Sequence, residues 1–150
     1  MIAQSPLKVA SASNRDVIEG MVSAFSQQDI DKVMDLFSEE AVYYDVHGGS
    51  VSGKRYRGRG VRLFNQRLFH RLPPHSYEDV IILVDGDQAH ASWTLVIELP
   101  MVGKTLKIRG CDYFELQQGK VTLKSAWLKS KAPLAIVVMA YAVTPASFWS

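Results

Sequence analysis

A single cysteine, Cys111, stands among 150 residues, so no disulfide can form within the chain. A reduced, cytoplasmic setting is the expectation. The longest apolar run, Leu134 to Val143, falls far short of the ~20 residues that span a bilayer. Met1 to Asn14 lacks the continuous apolar core of a signal peptide. Neither sign of charge dominates: the net charge is +2, too mild to argue for a nucleic-acid partner. One local absence is sharper. Between Val46 and Tyr77 there is no Asp or Glu, while Lys54, Arg55, Arg57, Arg59, Arg62, Arg67 and Arg71 all fall there. There is no phosphate loop, dinucleotide fingerprint or serine-nucleophile elbow. His47, His70, His75 and His90 have no metal-ligand spacing with a carboxylate, so neither metal nor cofactor is expected.

What is present suits one soluble domain: 47% of residues are hydrophobic and 21% charged. Residues 1–13 read as a flexible lead-in, 14–130 as the folded domain and 131–150 as an apolar extension. Asn14 looks like an N-cap, and Val17, Ile18, Met21, Val22 and Phe25 follow at helical spacing. Asp29 caps a second helix carrying Ile30, Val33, Met34 and Phe37. Ala41 to Val46 reads as a short strand. Val61, Leu63, Phe64, Leu68 and Phe69 make a third helix, stopped by Pro73-Pro74. Four strands follow: Tyr77 to Val84, Ala89 to Leu99, Thr105 to Leu116 and Val121 to Leu128. Asp85-Gly86, Pro100 to Gly103 and Gln117 to Gly119 are their turns. Three helices and an antiparallel meander predict an α+β domain. The extension from Ala132 could be a further strand, a lid over a cavity or a subunit contact.

Asp112 is the chemically informative residue. As a strand, Ile108, Gly110, Asp112, Phe114 and Leu116 share one face, since side chains alternate. A carboxyl group on an apolar face must be paired, hydrogen-bonded or protonated. It is then either a satisfied structural acid or part of a site. Asp45 poses the same question, sharing a strand face with Ala41, Tyr43 and His47. His47 is either a second acid/base beside Asp45 or a plain loop histidine before Gly48-Gly49.

The order of these elements resembles the nuclear transport factor 2-like superfamily, within it the SnoaL-like polyketide cyclases and the ketosteroid isomerases. The resemblance rests on Ala24-Phe25 to Asp29-Ile30, Leu36-Phe37 to Ala41-Val42, Tyr56-Arg-Gly58, Asp112-Tyr-Phe114 and Gln118 to Val121. It implies a cone-shaped α+β barrel, with a curved, mainly antiparallel sheet around a long helix and an apolar pocket inside. It also implies a homodimer. In the isomerases an aspartate at the place of Asp45 shuttles a proton, and a protonated aspartate at the place of Asp112 helps hold an oxyanion. Their tyrosine donor on the first helix falls on Met21, which cannot donate. The resemblance therefore implies a cofactor-independent cyclase, isomerase or dehydratase, of the kind found in polyketide or other secondary metabolism. Limonene epoxide hydrolases share the fold, but their Arg-x-Asp strand has no counterpart in Ala89 to Leu99.

The expected catalytic set is Asp45, Asp112 and His47. Met21, Phe25, Tyr43, Phe64, Trp93, Phe114 and Trp127 are expected to line the pocket or simply to fill the core. Trp93, Leu95 and Ile97 share one face of their strand and His90, Ser92 and Thr94 the other; the pattern does not say which looks inward. The expected ligand is an apolar, carbonyl-bearing small molecule, free or linked to a carrier protein. A non-catalytic ligand-binding or adaptor domain, working through the arginine cluster, is the alternative.

Overall fold

The computed structural model describes residues 13–47, 50–100 and 103–129. The lead-in before Ser13 and the extension from residue 130 lie outside them. Three helices, α1 (Asn14–Ser26), α2 (Ile30–Leu36) and α3 (Arg59–Arg71), pack against six strands. The strands are β1 (Phe37–Tyr44), β2 (Arg55–Arg57), β3 (His75–Asp85), β4 (Gln88–Leu99), β5 (Lys104–Gln117) and β6 (Lys120–Leu128). Their order in the sheet is β2-β1-β6-β5-β4-β3, and the sheet is curled but not closed.

The expected meander forms β3 to β6. Two departures come from pairing, which periodicity does not encode. β1 lies parallel to β6, with Tyr43 opposite Lys124, so the sheet is mixed. β2 was not expected at all: it is three residues long and antiparallel to β1, with Tyr56 opposite Tyr43. Phe37, expected on the second helix, is instead the buried first residue of β1. α1 is capped by Ser13, not Asn14. The Ser13 hydroxyl accepts from the Asp16 backbone, and the Asp16 carboxylate accepts from the Ser13 N–H. Asp29 caps α2 as expected, accepting from the Lys32 N–H.

Val17, Ile18, Met21, Ala24 and Phe25 of α1 are buried against the sheet. On β4, Ala89, Ala91, Trp93, Leu95 and Ile97 are buried and His90 is exposed, which settles the inward face. His90 is therefore no candidate for the interior. The outer face carries Ile81, Leu83 and Trp127, all more than half exposed.

His75 opens β3 with its ring largely buried. Nδ1–H donates to the Pro73 carbonyl at 3.1 Å, and Nε2 is buried with no partner among the described residues. Burial lowers its pKa below the ordinary 6.5. As pH falls through 6.5 the unfolded chain takes up this proton before the folded one does, so stability is full above that value and lost below it. The urea midpoint is expected to be lower at roughly pH 5.5 than at roughly pH 7.5. In His75→Phe that difference should shrink; an unchanged difference would assign the pH dependence to other groups.

Candidate active site

The inner face of the sheet is built in cross-strand rows. One row runs Tyr43, Lys124, Phe114, Ala89 across β1, β6, β5 and β4. The next runs Ala126, Asp112, Ala91, and the third Leu128, Gly110, Trp93. Asp112 is thus flanked on both sides by alanines. Their small side chains leave room above the carboxylate, and its diagonal neighbours Lys124 and Trp93 can reach it. Lys124 Nζ donates to Asp112 Oδ1 at 2.9 Å, and Trp93 Nε1 donates to Oδ2 at 3.0 Å. Lys124 also donates to the Tyr43 hydroxyl at 3.3 Å. Asp112 is 6% exposed and Lys124 3%. The ammonium lies 4.6 to 5.8 Å from the ring centroids of Phe25, Tyr43 and Phe114, which adds cation–π stabilisation.

This cluster forms the floor of a cavity of about 460 Å³, a volume in the range of small-molecule sites. Phe64, Leu68 and Leu72 come from the α3 side, Leu95, Ala126 and Leu128 from the sheet, and Tyr56 from β2. Asp45 and His47, just past the end of β1, line the same cavity. Asp45 Oδ1 accepts the Val46 N–H at 2.8 Å, and Oδ2 lies 3.5 Å from His47 Nδ1. The loop is pinned to β2 by Asp45 N–H to the Lys54 carbonyl and Lys54 N–H to the His47 carbonyl. Gly53 closes it at φ +81°, where a Cβ would collide with the Asp45 carbonyl oxygen, so only glycine fits.

Burial raises the Tyr43 pKa well above its ordinary value, and the charges of Asp112 and Asp45 raise it further. Tyr43 is therefore a neutral hydroxyl near pH 7. It accepts from Lys124, while no described residue takes its own proton. Lys124 has three N–H donors, two of them engaged. Together they leave two donors for an oxygen atom placed on the cavity floor.

Of the residues expected at the site, Asp45, His47, Asp112, Tyr43, Phe64 and Trp93 line this cavity. Met21, Phe25 and Phe114 do not. They surround a separate void of about 10 Å³ beneath Lys124, where they are core. Trp127 faces outward and is 51% exposed, because strand parity gives the inner face to Lys124, Ala126 and Leu128. Asp112 was expected as a neutral acid in an apolar pocket; its carboxyl oxygens accept from Lys124 and Trp93. Sequence reasoning missed Lys124. Its parity with Ala126 and Leu128 sets it on the face opposite Trp127, but only the strand pairing shows which of the two faces looks inward. Within the arginine-rich stretch, Arg57 pairs with Glu40 and Arg62 with Asp31, away from the cavity, whereas Lys54, Arg67 and Arg71 line it. Among the described residues, no group of three or more His, Cys, Asp or Glu could hold a metal ion. No described helix is long and apolar enough to cross a membrane.

Solved structures share this architecture. A candidate polyketide cyclase from Pseudomonas putida superposes with a TM-score of 0.65 at 17% identity, covering 78% of this chain and 92% of that one. A protein of unknown function with a cystatin-like fold from Xanthomonas campestris gives 0.68 at 14% identity, covering 83% and 97%. A candidate ketosteroid isomerase from Kribbella flavida gives 0.62 at 18%, covering 79% and 78%. At such identities the likeness establishes the nuclear transport factor 2-like fold. A comparison with curated proteins found no match. Residues 18–124 match the model of the SnoaL-like domain, which spans most of the chain, and the protein belongs to that family.

Proposed function

We propose that this SnoaL-like domain is an enzyme that isomerises or cyclises an apolar, carbonyl-bearing small molecule by proton transfer. The observation that supports it is the meeting, in one apolar cavity, of a carboxylate–histidine pair near the opening and two unspent donors on the floor. Asp45 takes a proton from the carbon next to the substrate carbonyl, and His47 beside it supports the exchange of that proton. The negative charge moves to the carbonyl oxygen, which receives hydrogen bonds from Lys124 Nζ and the Tyr43 hydroxyl. Return of the proton to a different carbon completes an isomerisation. Attack of the enolate carbon on a second carbonyl of the same molecule, with the proton delivered to the new alkoxide, closes a ring. Asp112 does not move a proton in this scheme. It holds the Lys124 side chain in place through their hydrogen bond, so it is a positioning residue.

Hydrogen–deuterium exchange at carbon tests the reading without knowledge of the natural substrate. A panel of apolar enones and β-diketones is incubated with the protein in D₂O and followed by NMR. Catalysed exchange is expected for at least one member. It should fall about 10²–10⁴-fold in Asp45→Asn and about 10²–10³-fold in Lys124→Met. Exchange that is undiminished in both variants, or absent across the panel, would overturn the proposal.

A further inference from the structure

The floor of the cavity is electrically balanced and its opening is not. Four cations and two carboxylates line it. Lys124 and Asp112 neutralise each other at 2.9 Å. That leaves Lys54, Arg67 and Arg71 facing one carboxylate, Asp45, which is already turned toward His47 and the Val46 N–H. Arg67 and Arg71 are four residues apart, on one side of α3, and Lys54 comes from the segment leading into β2. Like charges at that helical spacing repel. α3 contains no acid to offset them, nor does any residue from Val46 to Tyr77. The same stretch shows what a satisfied arginine looks like here: Arg57 reaches Glu40 at 3.1 Å and Arg62 reaches Asp31 at 2.9 Å. No described acid pairs with Lys54, Arg67 or Arg71. Arg55 and Arg59 of the same stretch also lack an acid partner among the described residues, but they do not line this cavity; Lys54, Arg67 and Arg71 are the unpaired cations that border it.

We infer that the cavity takes an amphiphilic anion, whose apolar carbonyl-bearing body lies over Trp93, Leu95 and Leu128 and whose carboxylate or phosphate is held at the opening by Lys54, Arg67 and Arg71. This deepens the acid–base reading above and rests on it for the position of the carbonyl. The anionic group supplies affinity and fixes which end of the molecule enters, because the cations without an acid partner lie at the opening while the ammonium on the floor is paired with Asp112. Two guanidinium forks and an ammonium suit a carboxylate and a phosphate ester alike, so the class is set by charge and by the apolar chain attached to it.

Isothermal titration with decanoate, decyl phosphate and 2-decanone separates the terms. Either anion is expected to bind at least about tenfold more tightly than the uncharged ketone. That preference should collapse in about 0.5 M salt, as for solvent-exposed charge pairs. It should be lost in Arg67→Gln/Arg71→Gln while ketone affinity stays unchanged, and kept in Arg67→Lys/Arg71→Lys, which retains the charge. Tighter binding of decanoate than of decyl phosphate assigns a carboxylate ligand, the reverse order assigns a phosphate ester, and equal binding of the two means that charge and apolar chain alone set the class. Equal binding of anions and ketone by the parent protein, or a preference that survives Arg67→Gln/Arg71→Gln, would overturn the inference. Failure of the acid–base reading is told apart by Asp45→Asn: this variant should lose exchange at carbon and keep the anion preference. A protein that exchanges no carbon-bound proton yet discriminates the anions retains this site and loses only the proposed chemistry.

Discussion

Asp112→Ala is expected to lower the unfolding free energy by about 3–5 kcal/mol, the range for removing one partner of a buried ion pair. The substitution removes few atoms. The cost arises because Lys124 remains, 3% exposed, with its ammonium stripped of the carboxylate that compensates it. The aromatic rings around it contribute only a small part of what the carboxylate supplied. Lys124→Met alone leaves Asp112 held only by the Trp93 N–H, and should also destabilise. The double change Asp112→Leu/Lys124→Met removes both charges and replaces them with apolar volume. It is expected to recover most of the loss and to reach or exceed the parent protein, because a buried pair seldom outweighs its own desolvation. Urea unfolding followed by circular dichroism checks all four proteins. A loss below about 1 kcal/mol in Asp112→Ala, in the range of exposed pairs, would mean that water reaches Lys124. A double variant less stable than either single variant would mean that the two residues do not act as a pair.

A gain in stability in the double variant would mean that the pair is present for something other than stability. Lys124 would then matter more to the site than its place in the sequence suggests. The face of β5 was legible: Ile108, Asp112, Phe114 and Leu116 are all buried, as strict alternation requires. That Asp45 and Asp112 face one cavity was implied by the family resemblance and not by alternation, since Asp45 lies past the end of β1. Lys124 was not legible, because a lone lysine between Leu123 and Ser125 looks like an exposed strand position. Only the pairing of β6 between β5 and β1 turns it inward, and the parallel β1–β6 contact spans more than eighty residues of sequence with no local signal. Trp127 was misplaced by the opposite bias, in which size was taken for burial. The arginine stretch was visible as composition. Its division into residues paired with Glu40 and Asp31 and residues bordering the cavity required the position of α3 over the sheet.

Gly110→Ala is the second substitution expected to act strongly, and it tests how the floor is assembled. Gly110 lies opposite Trp93 on β4 and Leu128 on β6. A Cβ there would stand 2.3 Å from Trp93 Cη2, 2.5 Å from Cζ3 and 2.8 Å from Leu128 Cδ2. Leu128 can turn away, being only partly buried. The indole cannot do so freely. Its N–H is held by Asp112, and its ring meets Tyr77 edge-on at 5.1 Å between centroids. One methyl group therefore forces a choice between shifting the backbone and breaking the Trp93–Asp112 hydrogen bond. Overpacking of this kind costs about 1–3 kcal/mol, measured as a fall in the urea midpoint. The colliding atoms belong to the second ring of the indole, which phenylalanine lacks. In a Trp93→Phe background the methyl group should therefore cost markedly less, with a coupling of about 0.5–3 kcal/mol between the two sites. An equal cost in both backgrounds would place the strain in the backbone of β5 and free Trp93 of the role assigned to it. A reduced cost would establish that the glycine is present to let the indole lie flat across the strand, where it can donate to Asp112 and, through Asp112, hold Lys124 at the floor of the cavity.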